Sequence, residues 1–293
     1  MHVEEILRTY LARNLRIESD KTRSLYRYVV ADFAESLNRE PTAADFTDDN
    51  LAAFIQHRRQ LGRSPHTIDR EADRLLTLWR CAAQERLCPW PRIKLKSHAP
   101  PIPEAWLRPE VESLFAAAGR YPTPIKGVPG GLFLLGLLGV FWDTGERLTP
   151  VLDLARTDVD LSARIVRLRG RKAGARDMVR EISRATADDV RRLLAAHNGA
   201  GVFAGSSRAT VYYHLPKLLT IAGLPVDRRS KFHRLRRSHA SHLHAAGGDA
   251  TASLGHSSDA VTRASYLDSR VTRGKSAVSR LFNPRRRWWR LLG

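Results

Sequence analysis

Five prolines fall between Pro89 and Pro103, in the polar, basic stretch CPWPRIKLKSHAPPIPEAW. Each removes a backbone donor and fixes φ, so no helix spans the region, and such a run reads as a linker. The chain has 293 residues, enough for two domains with proper cores. The expected division is residues 1–97 and residues 98–293.

The first part reads as a helical bundle. SDKTRSLYRYVVADFAESL repeats its apolar residues at Leu25, Val29, Phe33 and Leu37. TDDNLAAFIQHRRQLG opens on Thr47 as a cap and closes on Gly62, and SPHTIDREADRLLTLWRCAAQERL sets Pro65 behind a capping Ser64. Beyond the linker, RPEVESLFAAAG resumes helix and GGLFLLGLLGVFW follows as an apolar run. Its 13 residues fall short of the ~20 needed to cross a bilayer, so it is expected as a buried core helix. In RIVRLRGRKAGARDMVREI two β-prone runs flank a glycine-rich basic turn, which predicts a hairpin. TADDVRRLLAAH returns to helix, with Thr186 or Asp188 expected near its cap.

Charge narrows the partner. Residues 1–97 carry 17 basic and 14 acidic side chains, whereas residues 98–293 carry 32 and 16. An excess of +16 in the second part points to a polyanion, and arginine clusters beside aromatics favour nucleic acid over mere solubility. The last 24 residues, from Arg270, hold eight basic side chains and no acidic one, ending in RRRWWRLLG. Cys81 and Cys88, seven apart on one expected helix, would lie about 10 Å from each other, beyond disulfide reach. Reduced thiols and an N-terminus unlike a signal peptide fit a cytoplasmic protein.

The chemistry concentrates in KFHRLRRSHASHLHAAGG, Lys231 to Gly248, with four histidines and three arginines. His239 and His242 have a spacing found in helical zinc sites, but no nearby Cys or Glu completes a set and the arginines repel a cation. No metal is expected. His233 and Arg236, three apart, share a helix face, where a guanidinium fork grips phosphate oxygens and an imidazole donates or moves a proton. His239, His242 and His244 read as helix-surface or DNA-backbone contacts, and Tyr212 and Tyr213 as packing residues. Further along, SLGHSSDAVTRASYLD places Tyr266 ten residues after His256, with Ser257 or Ser258 able to cap the intervening helix. Upstream, FWDTGERLTPVLDL sets Arg147 just after the apolar helix, and the hairpin offers Lys172.

These pieces, in this order, resemble the tyrosine recombinase (phage integrase) family. Its signature is an arginine after T-G, a hairpin lysine, H-x-x-R, a later L-G-H and a nucleophilic tyrosine. The matching positions are Arg147, Lys172, His233, Arg236, His256 and Tyr266. SPHTIDR resembles the start of a helix in the family's core-binding domain, so the likeness spans nearly the whole chain. Two departures stand out: Pro150 occupies the place of a usual acidic residue, and the gap from His256 to Tyr266 is one longer than the commonest spacing.

The resemblance implies a mainly α chain of the tyrosine recombinase fold. A helical, SAM-like core-binding domain would precede a mixed α/β catalytic domain with a small β-hairpin and a basic tail, about 270–293. It implies a DNA recombinase that forms a 3′-phosphotyrosine and acts without cofactor or metal, in integration, excision or resolution of a DNA element. Arg147 and Arg236 would clamp the non-bridging oxygens, Lys172 would protonate the leaving 5′-oxygen, and Tyr266 would attack. His233 would take or steer the phenolic proton and His256 would donate to the phosphate. The expected partners are double-stranded DNA with inverted half-sites and further copies of the chain, a dimer on one site and a tetramer in synapsis, on the nucleoid and not at a membrane. The tail would act between protomers. The rival readings are a type IB topoisomerase-like enzyme and a non-catalytic DNA-binding protein on the same scaffold.

Overall fold

Capping chemistry sets the helix starts of the first part. The Thr47 hydroxyl accepts from Asn50 N at 3.1 Å, and the Ser64 hydroxyl accepts from Thr67 N at 3.2 Å with Pro65 in the first turn. In the computed structural model, which describes residues 1–13, 20–95, 98, 101–170, 177–228 and 230–272, these caps open α3 (Asp48–Gln60) and α4 (Pro65–Gln84). They follow α1 (Val3–Arg13) and α2 (Asp20–Leu37). The four helices enclose a core of Leu7, Val29, Phe33, Phe54, Leu75 and Trp79. Within it Arg58, 2% exposed, donates from Nε to Glu71 at 2.9 Å and pairs with Asp32 at 2.9 Å. This ties α2, α3 and α4 together through a desolvated guanidinium whose charge is met on two sides.

Helix α4 stops at Gln84, so Cys88 lies beyond it rather than on the same helix as Cys81. Arg86, with φ of 60°, turns the chain, and the Trp79 indole donates to Pro89 O at 2.6 Å to hold the segment that follows. Both cysteines are free thiols. The chain divides into two units, Met1–Pro100 and Pro101–Gly293.

The second unit is built around α6 (Gly130–Thr144), the apolar run, whose Phe133, Leu134, Leu137, Leu138, Val140 and Phe141 are all buried. It packs against α5 (Arg108–Gly119) and later elements α7 (Leu148–Leu152) and α8 (Arg184–Ala195). Helix α8 approaches closely because Gly139 has no side chain: a Cβ there would sit 2.7 Å from Thr186 Oγ1. Ser183 caps α8, its hydroxyl accepting from Thr186 N, so Thr186 is the buried packing residue and not the cap. Between α7 and α8 lies an antiparallel sheet in the order β1 (Val159–Asp160), β2 (Ile165–Leu168), β3 (Met178–Glu181). Val166 faces Arg180 and Leu168 faces Met178 in the expected hairpin; β1, paired through Val159 with Val166, is an addition to it. Helices α9 (Arg208–Ile221), α10 (Phe232–Ala245), α11 (Ala250–Leu254), α12 (Asp259–Tyr266) and α13 (Ser269–Thr272) complete the unit. The fold is thus mainly helical with one small sheet, as expected. Lys172, in the connection between β2 and β3, and the tail beyond Thr272 lie outside the described residues.

Candidate active site

Helix α10 carries the centre of the site. Phe232 and Leu235 anchor it in the hydrophobic core, which turns Arg236, one residue on, inward as well. Arg236 is 1% exposed, and a buried guanidinium needs its donors met. Its Nη1 donates to Gly145 O at 2.6 Å and its Nη2 to Leu254 O at 3.0 Å. The ends of two other helices therefore fix its plane. His233, one turn earlier, stands at the exposed edge of the same face.

The end of α6 supplies the next group. Gly145, at φ +61°, adopts the left-handed conformation that stops the helix, and its N–H donates to Phe141 O at 2.9 Å. The stop turns Gly145 O toward Arg236 and delivers Glu146 and Arg147 to the same corner. Glu146 is 2% exposed; its Oε1 accepts from Arg147 N at 2.8 Å and lies 3.5 Å from Arg236 Nη1. Arg147 is the N-cap residue of α7, its side chain 62% exposed and its Nη1 3.6 Å from Glu146 Oε1.

Helices α11 and α12 close the site. Asp249 caps α11, accepting from Thr251 N and Ala252 N, and Gly255 at φ +64° ends it. His256 follows, its Nδ1 2.9 Å from the buried Thr262 hydroxyl and its Nε2 3.4 Å from Arg236 Nη2. Ser258, rather than Ser257, caps α12 through Val261 N. Tyr266 ends α12 and is 8% exposed. Its ring centroid is 4.6 Å from that of His256 and 5.3 Å from that of His233, and Arg236 Cζ is 5.5 Å from it. The Ser241 hydroxyl donates to Tyr266 O at 3.0 Å and accepts from Asp268 N at 2.9 Å. Asp268 in turn accepts from Ala105 N at 2.8 Å, so the tyrosine is pinned to its own unit on the far side as well.

Electrostatics follow from this crowding. Burial, aided by Arg237, Arg236, Arg147 and His256, pushes the His233 pKa down to about 4. His233 is also partly open to water, which screens part of the repulsion, and the imidazole is neutral at pH 7. His256 is shifted the same way by burial and then by Arg236 and Arg147. Burial lowers Arg236 too, opposed first by Glu146 and then by Tyr266. An arginine has no acceptor, so the Arg236 contact uses the lone pair of His256 Nε2 and leaves the proton on Nδ1.

Five of the six residues singled out from the sequence thus meet in one place: Arg147, His233, Arg236, His256 and Tyr266. Lys172 lies outside the described residues. Among the described residues no group of three or more His, Cys, Asp or Glu side chains surrounds a common point, and no helix is long and apolar enough to cross a membrane. His239 is a correction. It is buried, not a surface or DNA contact: its Nδ1 donates to Trp142 O and its Nε2 accepts from Ser253 Oγ at 2.9 Å. His242 donates from Nε2 to Trp106 O at 3.1 Å, and Tyr213 is 65% exposed rather than packed. Glu146 was missed; its signal was a carboxylate beside the arginine at a glycine helix stop.

A phenol thus lies beside two imidazoles and one buried, fixed guanidinium, groups of the kind that bind an oxyanion. The model of the phage integrase family matches residues 108–273. The tyrosine recombinase XerA of Thermococcus kodakarensis is 28% identical over 278 residues, 89% of this chain and 89% of the relative. The crystal structure of a lambda integrase dimer bound to a COC′ core site superposes with a TM-score of 0.71 at 16% identity, over 97% of this chain and 79% of that one. A lambda integrase tetramer bound to a Holliday junction gives 0.71 at 16%, over 92% and 76%. The chain belongs to the phage integrase family and is a tyrosine site-specific recombinase.

Proposed function

We propose that Tyr266 is the nucleophile that cuts one DNA strand, with Arg147, Arg236, His233, His256 and Lys172 as its catalytic partners. The observation that carries this is the enclosure of the Tyr266 ring by His233, His256 and the Arg236 guanidinium. The phenolic oxygen attacks the scissile phosphorus, forming a tyrosyl 3′-phosphate as the bond to the 5′-oxygen breaks. A free phenol has a pKa near 10, so attack at neutral pH needs its proton drawn off. His233, held neutral, has a lone pair for it. Arg236 and Arg147 spread the charge of the non-bridging oxygens in the pentacoordinate transition state. His256 donates to one of them once phosphate draws Arg236 Nη2 away. The proton then moves to Nε2, while the Thr262 hydroxyl, able to donate or accept, satisfies Nδ1. Lys172 hands a proton to the departing 5′-oxygen. The phosphotyrosine keeps the energy of the broken diester, so a 5′-hydroxyl from a partner strand reseals the DNA by the reverse path.

The unit Met1–Pro100 acts as the core-binding domain and Pro101–Gly293 as the catalytic domain. The substrate is duplex DNA with inverted half-sites, bound by a dimer and synapsed as a tetramer, on nucleoid DNA in the cytoplasm. Support comes from the excess of basic charge and from the lambda integrase dimer and tetramer on DNA. The test is strand exchange between two differently labelled duplexes that the protein selects from a random pool. Recombinant products are expected; covalent cleavage and resealing of each duplex without exchange favours the topoisomerase reading.

A further inference from the structure

We propose that Glu146 is the positioning residue of the arginine clamp: its buried carboxylate fixes Arg236 toward the phosphate and receives Arg147 when that side chain turns inward. This rests on the reading that the two arginines bind the scissile phosphate.

A carboxylate that is 2% exposed must be compensated by its neighbours, and the neighbours of Glu146 are the two arginines of the site. Oε1 accepts from Arg147 N at 2.8 Å and lies 3.5 Å from Arg236 Nη1 and 3.6 Å from Arg147 Nη1. Among the described residues, Oε2 and Arg236 Nε are both buried with no hydrogen-bond partner. Two neutral carbonyls, Gly145 O and Leu254 O, orient Arg236 but do not balance its charge. Glu146 does, and it is the first influence that keeps this buried guanidinium protonated. Arg147, by contrast, is mostly exposed and reaches Glu146 only at 3.6 Å. Oε2 is the second acceptor of the carboxylate whose Oε1 lies 3.6 Å from Arg147 Nη1. When phosphate binds, Arg147 can fold onto a ready-made partner and come to rest with its fork aimed at the oxyanion.

The chain makes this role necessary. The position three residues after Arg147 is Pro150, in α7, which brings no carboxylate. Glu146 supplies one from the other side of the arginine, on the turn that Gly145 opens. Capping of Arg147 N is a separate and lesser task that an uncharged glutamine side chain performs equally well.

That difference gives the test. Full-length wild type, Glu146→Gln, Glu146→Asp and Arg236→Ala are compared on a nicked suicide duplex bearing half-sites selected by the wild-type protein. The duplex carries either a normal diester or a methylphosphonate at the scissile position. The methylphosphonate lacks the charge on a non-bridging oxygen, so it needs a cationic clamp far less. Glu146→Gln is expected to form the covalent adduct at least about tenfold more slowly on the diester, with DNA affinity unchanged and a melting temperature that falls, as an uncompensated buried guanidinium requires, yet stays well above the assay temperature. Glu146→Asp restores most of the rate, and on the methylphosphonate the gap to wild type shrinks to within about threefold. Equal deficits on both substrates, or a lower melting temperature that accounts for the loss, would reduce Glu146 to a structural residue. A Glu146→Gln protein as fast as wild type while Arg236→Ala is inactive overturns the inference and leaves the clamp standing. An Arg236→Ala protein that cleaves the diester normally overturns the clamp itself.

Discussion

Replacing Gly145 by alanine perturbs the turn on which both arginines depend, and the structure sets the size of the effect. At φ +61° a residue with a Cβ is disfavoured by about 1–2 kcal/mol. The new Cβ would also lie 2.2 Å from His239 Cδ2 and 2.6 Å from its Nε2. His239 is buried and has nowhere to go without giving up its bonds to Trp142 O and Ser253 Oγ. Each of those is worth about 0.5–1.5 kcal/mol net. Together the loss should be about 2–5 kcal/mol, or a fall in Tm on the order of 10 °C for a unit of this size. Urea unfolding followed by circular dichroism, run as a double-mutant cycle with His239→Ala, separates the two causes. With the ring removed, Gly145→Ala should cost only the backbone share, leaving a coupling of about 1–3 kcal/mol. Strict additivity, or a Gly145→Ala protein within about 0.5 kcal/mol of wild type, would refute the reasoning.

Lys172→Ala should slow cleavage of a normal diester and cleave a substrate with sulfur at the 5′ bridging position nearly as fast as wild type, because a thiolate leaves without a proton. Rescue by sulfur in Arg171→Ala instead would move the general acid by one residue. Cleavage should stay level from pH 8 to about 5.5, since the His233 pKa is pushed down to about 4 and the base remains unprotonated; a midpoint near 6.5 would contradict this. Stability carries the same sign. His233, His239 and His256 all have folded pKa values below that of free histidine, near 6.5. Their contribution is full above pH 6.5 and is lost as the pH falls through the lowered values, so urea midpoints should drop between pH 7 and pH 5.

Much of this was legible because it is local. Thr47, Ser64 with Pro65, and Ser258 cap helices through atoms within three residues of themselves, and the apolar run of α6 announces its own burial. The order of Arg147, His233, Arg236, His256 and Tyr266 was readable as a set. What was not readable depends on contacts distant in sequence. Thr186 gives up the cap of α8 to Ser183 because it is needed against Gly139, some 47 residues away. His239 is polar and helical, and it becomes internal only through contacts distant in sequence, with Gly145, Trp142 and Ser253. Nothing local marks Glu146, because its partner Arg236 lies 90 residues on and only the fold brings the two together. The short β1 strand has too little sequence to signal itself and exists by pairing with β2.

The most direct test of the account is a covalent trap on a nicked suicide duplex bearing the selected half-sites. Tyr266→Phe keeps the ring between His233 and His256 and removes only the hydroxyl, so fold and DNA affinity should match wild type. Wild type should give a slow-migrating band resistant to SDS and sensitive to protease. Tyr266→Phe should give none, while Tyr212→Phe and Tyr213→Phe should leave the band intact. A covalent band from Tyr266→Phe would place the nucleophile elsewhere, and its absence from wild type on a bound site would contradict cleavage altogether.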